Sequence, residues 1–164
     1  MIQSVRAFLP APGEPSELRE AFLGDPGRWL PVVRQSGPGH WVVLVSGWQF
    51  ARPVEIRIGE PWSLGKSSWR TMSWEPAGRA IGEGPSARLL PSLDGEIGLH
   101  EMRGVATVIF EGRYRPPGGA VGAAADTLAL HRVAQTTVER LLADVTARLC
   151  AEGMLGTPRT DVSV

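Results

Sequence analysis

The stretch GAVGAAADTLALHRVAQTTVERLLADVTARLCAE, residues 119–152, decides the fold prediction for this chain. It follows a Pro-Pro-Gly-Gly run at 116–119, contains no proline, and has Gly122 as its one glycine after the first residue. Its apolar residues recur with the 3.6-residue period of an α-helix, which predicts one amphipathic helix about 45 Å long. The predicted apolar face comprises Ala124, Leu128, Val138, Leu142, Val145 and Leu149, with His131 and Gln135 on the same side.

The residues before this helix form short segments of β-prone residues, several of them alternating between apolar and polar types, separated by Gly and Pro. Such alternation is typical of β-strands with one buried face. Two short helices are expected after the first strand, one over 14–23 and one that begins at Asp25-Pro26, where Asp25 serves as the cap. Strands are predicted at 2–9, 40–48, 54–58, 67–75, 89–102 and 105–115.

Consecutive strands joined by hairpin-length connections favour an antiparallel sheet. Because strands twist, such a sheet curls, and the long helix can cover its apolar face. We therefore predict an α+β fold in which a curved antiparallel sheet of about six or seven strands wraps around the C-terminal helix. A single domain is expected over 1–153, followed by a flexible C-terminal tail over 154–164.

Composition and charge limit the classes of function. The chain has 17 basic and 17 acidic residues among 164, and no Lys- or Arg-rich run, so we expect no nucleic-acid partner. Its apolar runs are too short to cross a bilayer, so no membrane insertion is expected. The single cysteine, Cys150, cannot form an internal disulfide and no secretion signal is recognisable, which together predict a cytoplasmic protein.

Four short runs carry a resemblance to a known family. They are WEP at 74–76, LPSLDGE at 90–96, GRYRPPG at 112–118 and LHRVA at 130–134. With these runs the chain resembles the START-related SRPBCC (polyketide cyclase/dehydrase-like) superfamily, and in particular its uncharacterised bacterial members. The resemblance implies a helix-grip (START/Bet v 1-like) fold, with a cavity between the sheet and the C-terminal helix that often takes an apolar small molecule. That superfamily shares no catalytic signature, so the resemblance implies no catalytic residue.

The candidate cavity lining follows from strand alternation and from the helical wheel. Trp74 is included because it shares a strand face with Met72, whereas Glu96, Glu111 and Arg113 have the opposite alternation and are expected to face solvent. The predicted lining is Val54, Ile56, Met72, Trp74, Leu93, Ile97, Leu99, Val108, Phe110, Tyr114, Ala124, Leu128, His131 and Gln135.

The polar members of this set allow alternative roles. His131 either contacts a ligand, acts as a general acid or base with Tyr114 as the electrophile, or is a structural histidine bonded to a strand residue. Gln135 either orients a polar group of a ligand or bridges the helix to the sheet. Three functions stay open: a carrier or sensor of an apolar small molecule, an aromatase/cyclase or dehydratase-type enzyme, and a protein with a filled interior that acts through its surface.

Other recognisable chemistry is missing from the sequence. His40, His100 and His131 are far apart and lack acids or cysteines at metal-ligand spacing, so we predict no metal and no cofactor. Neither a phosphate-binding loop nor a nucleophile elbow occurs, which counts against NTPase and hydrolase classes. The expected partner is an apolar small molecule, and a homodimer is possible.

Overall fold

The computed structural model describes residues 3–46, 51–77, 92–115 and 127–156. Strands and two short helices precede one long helix, in the predicted order. The elements are β1 (Gln3–Ala11), α1 (Pro15–Leu23), α2 (Pro26–Trp29), β2 (Val32–Gly37), β3 (His40–Ser46), β4 (Ala51–Ile58), β5 (Trp62–Leu64), β6 (Ser67–Pro76), β7 (Ser92–Met102), β8 (Val105–Arg115) and α3 (Thr127–Gly156).

All strands join one antiparallel, eight-stranded sheet in the order β1-β8-β7-β6-β4-β3-β2, with the short β5 paired to β6. The first strand therefore pairs with the last one, over the full register from Gln3 opposite Tyr114 to Ala11 opposite Ala106. The predicted α+β architecture, a curved antiparallel sheet with a long C-terminal helix, is confirmed. Nothing tests the predicted domain limits, which stay a prediction.

Each long strand presents alternate side chains to the two sides of the sheet. In β6, Arg70, Met72 and Trp74 point to the buried side, whereas Trp69 and Thr71 point outward, as predicted. We call the buried side the inner face and the solvent side the outer face. The predicted solvent positions Glu96, Glu111 and Arg113 are exposed on the outer face.

The two short helices begin as their sequences predict. Pro15 opens α1, and Glu17 lies in its first turn, where the helix dipole favours an acid. In α2 the Asp25 side chain accepts a hydrogen bond of 2.9 Å from the backbone N–H of Gly27, and Pro26 occupies the first turn. Both helices pack against α3.

Helix α3 packs along β1 and also contacts β3 and β8, so it covers the inner face mainly at one edge of the sheet. It ends at Gly156, four residues beyond the predicted end. The predicted face residue Ala124 lies outside the described residues, and the side chain of Leu128 is likewise not described. Among the described side chains, the buried residues of α3 are Ala134, Thr137, Val138, Leu141, Leu142, Val145, Thr146, Leu149 and Gly153.

Two strands were not predicted from the sequence. β2 is mostly exposed and carries two register irregularities against β3, so its sequence shows no alternation. β5 is only three residues long and fully exposed. In addition, β1 continues through Pro10 to Ala11, which an edge strand tolerates because the missing N–H is not needed by a neighbour. In the described part of the chain, none of the helices is long and apolar enough to cross a membrane.

Candidate functional site

A row of inward-facing side chains crosses the sheet near the first turn of α3. Ile56 lies opposite Trp74, Trp74 opposite Leu93, Leu93 opposite Tyr114, and Tyr114 opposite Gln3. Directly opposed residues share one face of a sheet, so these five side chains form a continuous line on the inner face. The line is apolar over β4, β6 and β7 and ends in two hydrogen-bonding groups at the edge of the sheet.

The predicted apolar lining on the strands is buried within one hydrophobic core. None of these side chains is more than 4% exposed, so all of them lie in the interior of the protein. Strand alternation therefore brings the predicted residues together on the inner face. The residues are Val54, Ile56, Met72, Trp74, Leu93, Ile97, Leu99, Val108 and Phe110.

Tyr114, His131 and Gln3 form a hydrogen-bonded chain at the polar end of this row. The Tyr114 hydroxyl donates to Oε1 of Gln3, and the Tyr114 hydroxyl oxygen lies 3.3 Å from Nδ1 of the half-buried His131. The two rings lie with centroids 6.0 Å apart and planes tilted by 33°. The tyrosine itself is fully buried. The structure thus brings together the two polar residues that the sequence singled out, and adds Gln3, which sequence reasoning missed.

The hydrogen bond from Tyr114 to Gln3 favours one tautomer of His131. An amide oxygen can only accept, so the single hydroxyl proton of Tyr114 is used on Gln3. The Tyr114 oxygen must then accept from Nδ1–H of His131. In the neutral imidazole this leaves the lone pair on Nε2, which makes Nε2 an acceptor or base. Burial also raises the pKa of the Tyr114 hydroxyl, which keeps it protonated at neutral pH.

Gln135 fastens the helix to the sheet. Its Nε2 donates to the backbone carbonyl of Arg6 in β1 at 2.9 Å and to Oε1 of Glu139 at 2.8 Å. The Arg6 carbonyl belongs to an edge strand and would otherwise lack a ladder partner. Both amide hydrogens of Gln135 are therefore used within the protein, which matches the bridging role that the sequence left open.

Known proteins resemble the chain in structure. The Zhui aromatase/cyclase from Streptomyces sp. R1128 aligns with a TM-score of 0.55 at 9% identity, covering 98% of this chain and 99% of that one. TTHA0849 from Thermus thermophilus aligns at 0.53 and 15% identity, covering 91% and 98%. Ara h 8.0201 aligns at 0.52 and 15% identity, covering 92% and 99%. No family model matches the sequence, and no curated protein sequence matches it significantly.

The protein has the helix-grip fold of these structures. This confirms the fold that the resemblance implied. At 9 to 15% identity the likeness extends to the fold alone, so the roles of individual residues depend on the geometry described above.

Arg70 is an unusual residue for the inner face of this helix-grip sheet, because it is a buried charge. Its guanidinium donates to the carbonyls of Phe22, Leu23 and Gly24 at the C-terminal end of α1, and to that of Gly59. Desolvation lowers the pKa of Arg70, and the nearby acids Glu60 and Asp25 oppose that shift. The side chain is thus a structural cap for α1. Strand alternation predicted its position beside Met72 and Trp74 on one face, whereas its capping role was not predicted.

Clefts formed by described residues also lie on the outer face of the helix-grip sheet. One of about 420 Å³ lies between His40, Arg57 and Asp94, and another of about 550 Å³ between Arg6 and Asp94. Both contain acidic and basic groups, so neither selects a ligand of one charge. Among the described residues, no group of three or more His, Cys, Asp or Glu side chains is arranged to hold a metal ion.

Proposed function

We propose that the protein binds an apolar small molecule between the sheet and α3, with the polar group of the ligand at His131. The observation that carries this proposal is the Gln3–Tyr114–His131 chain, which ends an otherwise apolar row on the inner face. The role is that of a carrier, a sensor or a sequestering protein, and a cytoplasmic location belongs to the same proposal.

The site chemistry favours a ligand with a hydroxyl donor. Nε2 of His131 offers a lone pair, so a phenolic or alcoholic hydroxyl fits it better than a carbonyl oxygen does. Burial of the ligand's apolar body contributes about 25 cal/mol per Å². Trp74 and the rest of the predicted lining, together with Ala124 and Leu128, are proposed to meet that body. The aromatase/cyclase of similar fold supports an aromatic or polyketide-like class of ligand.

A pair of matched probes tests this proposal. We expect 2-naphthol to bind more tightly than naphthalene, because only the former has a hydroxyl to donate to His131. Substitution His131→Ala should weaken 2-naphthol about tenfold, the equivalent of one hydrogen bond, and leave naphthalene nearly unchanged. Tryptophan fluorescence titration measures both affinities.

The control is His100→Ala, which removes a histidine from the outer face. It should leave both affinities as they are in the unsubstituted protein. Equal loss for the two probes in His131→Ala, or no binding of either probe to the unsubstituted protein, would contradict the proposal. Independently of the probes, native mass spectrometry of freshly purified protein would identify a co-purified ligand by its mass.

An enzyme that uses the same site is the second candidate. The observation in its favour is that two polar side chains converge, since an acid–base reaction needs both His131 and Tyr114 within hydrogen-bond reach. In an aromatase/cyclase or dehydratase-type reaction, Nε2 would remove a proton next to a carbonyl. The Tyr114 hydroxyl would turn from Gln3 to donate to the carbonyl oxygen.

Hydrogen–deuterium exchange at the activated CH₂ of an aromatic β-diketone separates the two candidates. An enzyme would accelerate this exchange in D₂O and lose the acceleration in His131→Ala and in Tyr114→Phe. A carrier would bind the diketone without accelerating exchange. If His131→Ala keeps the rate within about a factor of two of the unsubstituted protein, the enzyme candidate is wrong.

A further inference from the structure

The outer face of the sheet carries an apolar row of its own. Trp62 in β5 lies opposite Trp69 in β6, Trp69 opposite Gly98 in β7, Gly98 opposite Ile109 in β8, and Ile109 opposite Phe8 in β1. Five neighbouring strands therefore contribute an apolar residue or a glycine at the same level of the sheet. The row spans about 20 Å, because neighbouring strands lie about 4.8 Å apart.

The centre of this row is flat because Trp69 lies over Gly98. A Cβ atom at Gly98 would come within 2.4 Å of the Trp69 ring, so only glycine lets the indole rest on the sheet. The opposite side of that indole is partly exposed. A ring lying flat on the backbone provides a broad apolar surface with little conformational entropy left to lose.

The row belongs to a larger group of exposed apolar side chains, here called the outer apolar patch. Its most exposed members are Leu64 at 80%, Phe8 at 71%, Met102 at 64%, Val105 at 53% and Trp62 at 40%. Together with Trp69 and Ile109 they offer on the order of 600 Å² of apolar surface, at the upper end for a monomer's largest patch. A stable dimer interface buries about 800 Å² per partner, of which roughly 60% is apolar, so the patch is large enough for one.

Part of the polar surface in and around the outer apolar patch is already paired. Ser67 and His100 lie within the patch and share a hydrogen bond of 2.6 Å, so a partner surface can cover them at little desolvation cost. At its border, Arg6 on β1 pairs with Glu111 on β8. The border therefore carries both signs of charge and attracts neither polyanions nor anionic lipid, but it suits a second copy of the same surface.

We propose that two copies of this chain pack through their outer apolar patches, face to face, in a two-fold symmetric dimer. The two ends of the row differ, since Phe8 is the more exposed and Trp62 the less exposed. A two-fold axis parallel to the strands, passing over Gly98, places Phe8 of one copy on Trp62 of the other. The same axis brings Ile109 against Trp69, and the sheets pack about 10 Å apart at a crossing angle near 30°.

Sedimentation equilibrium over a range of protein concentrations tests the proposal. The unsubstituted protein should be a dimer, and Phe8→Glu should be a monomer at concentrations where the unsubstituted protein is fully dimeric. The matched control is Leu44→Glu, which places the same charge at a 46% exposed apolar residue of β3, two strands away from β6. That variant should stay dimeric. Thermal unfolding confirms that both variants are folded.

A monomeric unsubstituted protein at about 100 μM would overturn the proposal, because an interface of this size should hold at that concentration. A dimer that survives Phe8→Glu, or one that Leu44→Glu disrupts equally, would also overturn it. No ligand is needed for these measurements, so their outcome is independent of the inner-face proposal.

Thiol cross-linking tests the orientation of the two copies. In a Cys150→Ser background, a Phe8→Cys copy mixed with a Trp62→Cys copy should be joined by a bismaleimide that spans about 10 Å, because sheets at that spacing hold the two Cα atoms too far apart for a direct disulfide. Either copy alone should be cross-linked much less, since the axis separates identical residues by roughly the length of the row. Faster cross-linking between two Phe8→Cys copies would contradict the axis.

Discussion

Tyr114 is the residue on which the inner-face site depends, and it is also the only tyrosine of the chain. Its hydroxyl joins Gln3 on β1 to His131 on α3, so one side chain connects the sheet to the helix at this site. Being fully buried, it is held in one geometry by the core around it. A ligand at His131 would therefore meet a hydrogen-bonded pair that is already oriented.

The titration of Tyr114 provides a direct test at the residue scale. Burial raises its pKa above the ordinary value of about 10, so the unfolded chain ionises first as pH rises. The contribution of the protonated Tyr114 hydroxyl to the free energy of unfolding is therefore complete below about pH 10, and it is lost as pH increases through the folded-state pKa. We expect the tyrosinate absorbance to appear at a higher pH in the native protein than in denaturant. The same midpoint in both would show that the hydroxyl is not buried.

A second residue-scale prediction concerns Arg70. Substitution Arg70→Met keeps most of the packing volume but leaves the carbonyls at the end of α1 without their donor. We expect the free energy of unfolding to fall by about 3 kcal/mol in urea denaturation. Arg57→Met, an exposed arginine on the outer face, is the control and should change it by less than about 0.5 kcal/mol. An equal loss of unfolding free energy in the two variants would contradict the capping role of Arg70.

At the scale of elements, β7 and β8 approach each other closely through a pair of glycines. Gly95 lies opposite Gly112, and the ring of Phe110 covers both from the inner face. An aromatic ring over a strand glycine replaces the side-chain packing that glycine lacks. The glycine pair thus lets β7 and β8, the longest strands of the sheet, bend where the helix-grip fold needs curvature.

This packing predicts a sharp position dependence for alanine. In Gly95→Ala the new Cβ would lie 2.3 Å from the Glu111 carbonyl and 2.6 Å from the Cα of Gly112, both backbone atoms. We expect a loss of about 2–3 kcal/mol in the free energy of unfolding. Gly37→Ala on β2 meets nothing closer than 4.0 Å and should be neutral or stabilising. Denaturant midpoints of the two variants decide the matter, and equal midpoints would contradict the prediction.

At the scale of the whole molecule, the sequence predicted the architecture because the long strands alternate and α3 has a clear period. Leu93, Ile97 and Leu99 on β7 were placed on the inner face by alternation alone. The strands that were missed have no such pattern: β2 is irregular and β5 has only three residues. Periodicity reports burial, so it cannot detect strands that bury almost nothing.

The candidate site was predictable in part. His131 and Tyr114 were paired from the helical wheel and strand alternation, and the structure places them 3.3 Å apart. Gln3 escaped prediction because its role depends on the pairing of the first strand with the last, which no local pattern encodes. Phe8 is 71% exposed whereas Val5 is buried, since strict alternation along β1 puts the two on opposite faces.

The pairing of β1 with β8 also determines when the protein can fold during synthesis. A ribosome adds about 5–20 residues per second, so roughly 5 to 20 seconds separate the emergence of Ala11 from that of Val105. The helix that covers β1 is made later still. Throughout that interval Val5 and Ala7 lack the β8 and α3 neighbours that bury them in the folded protein, so β1 is a segment that a ribosome-associated chaperone would bind.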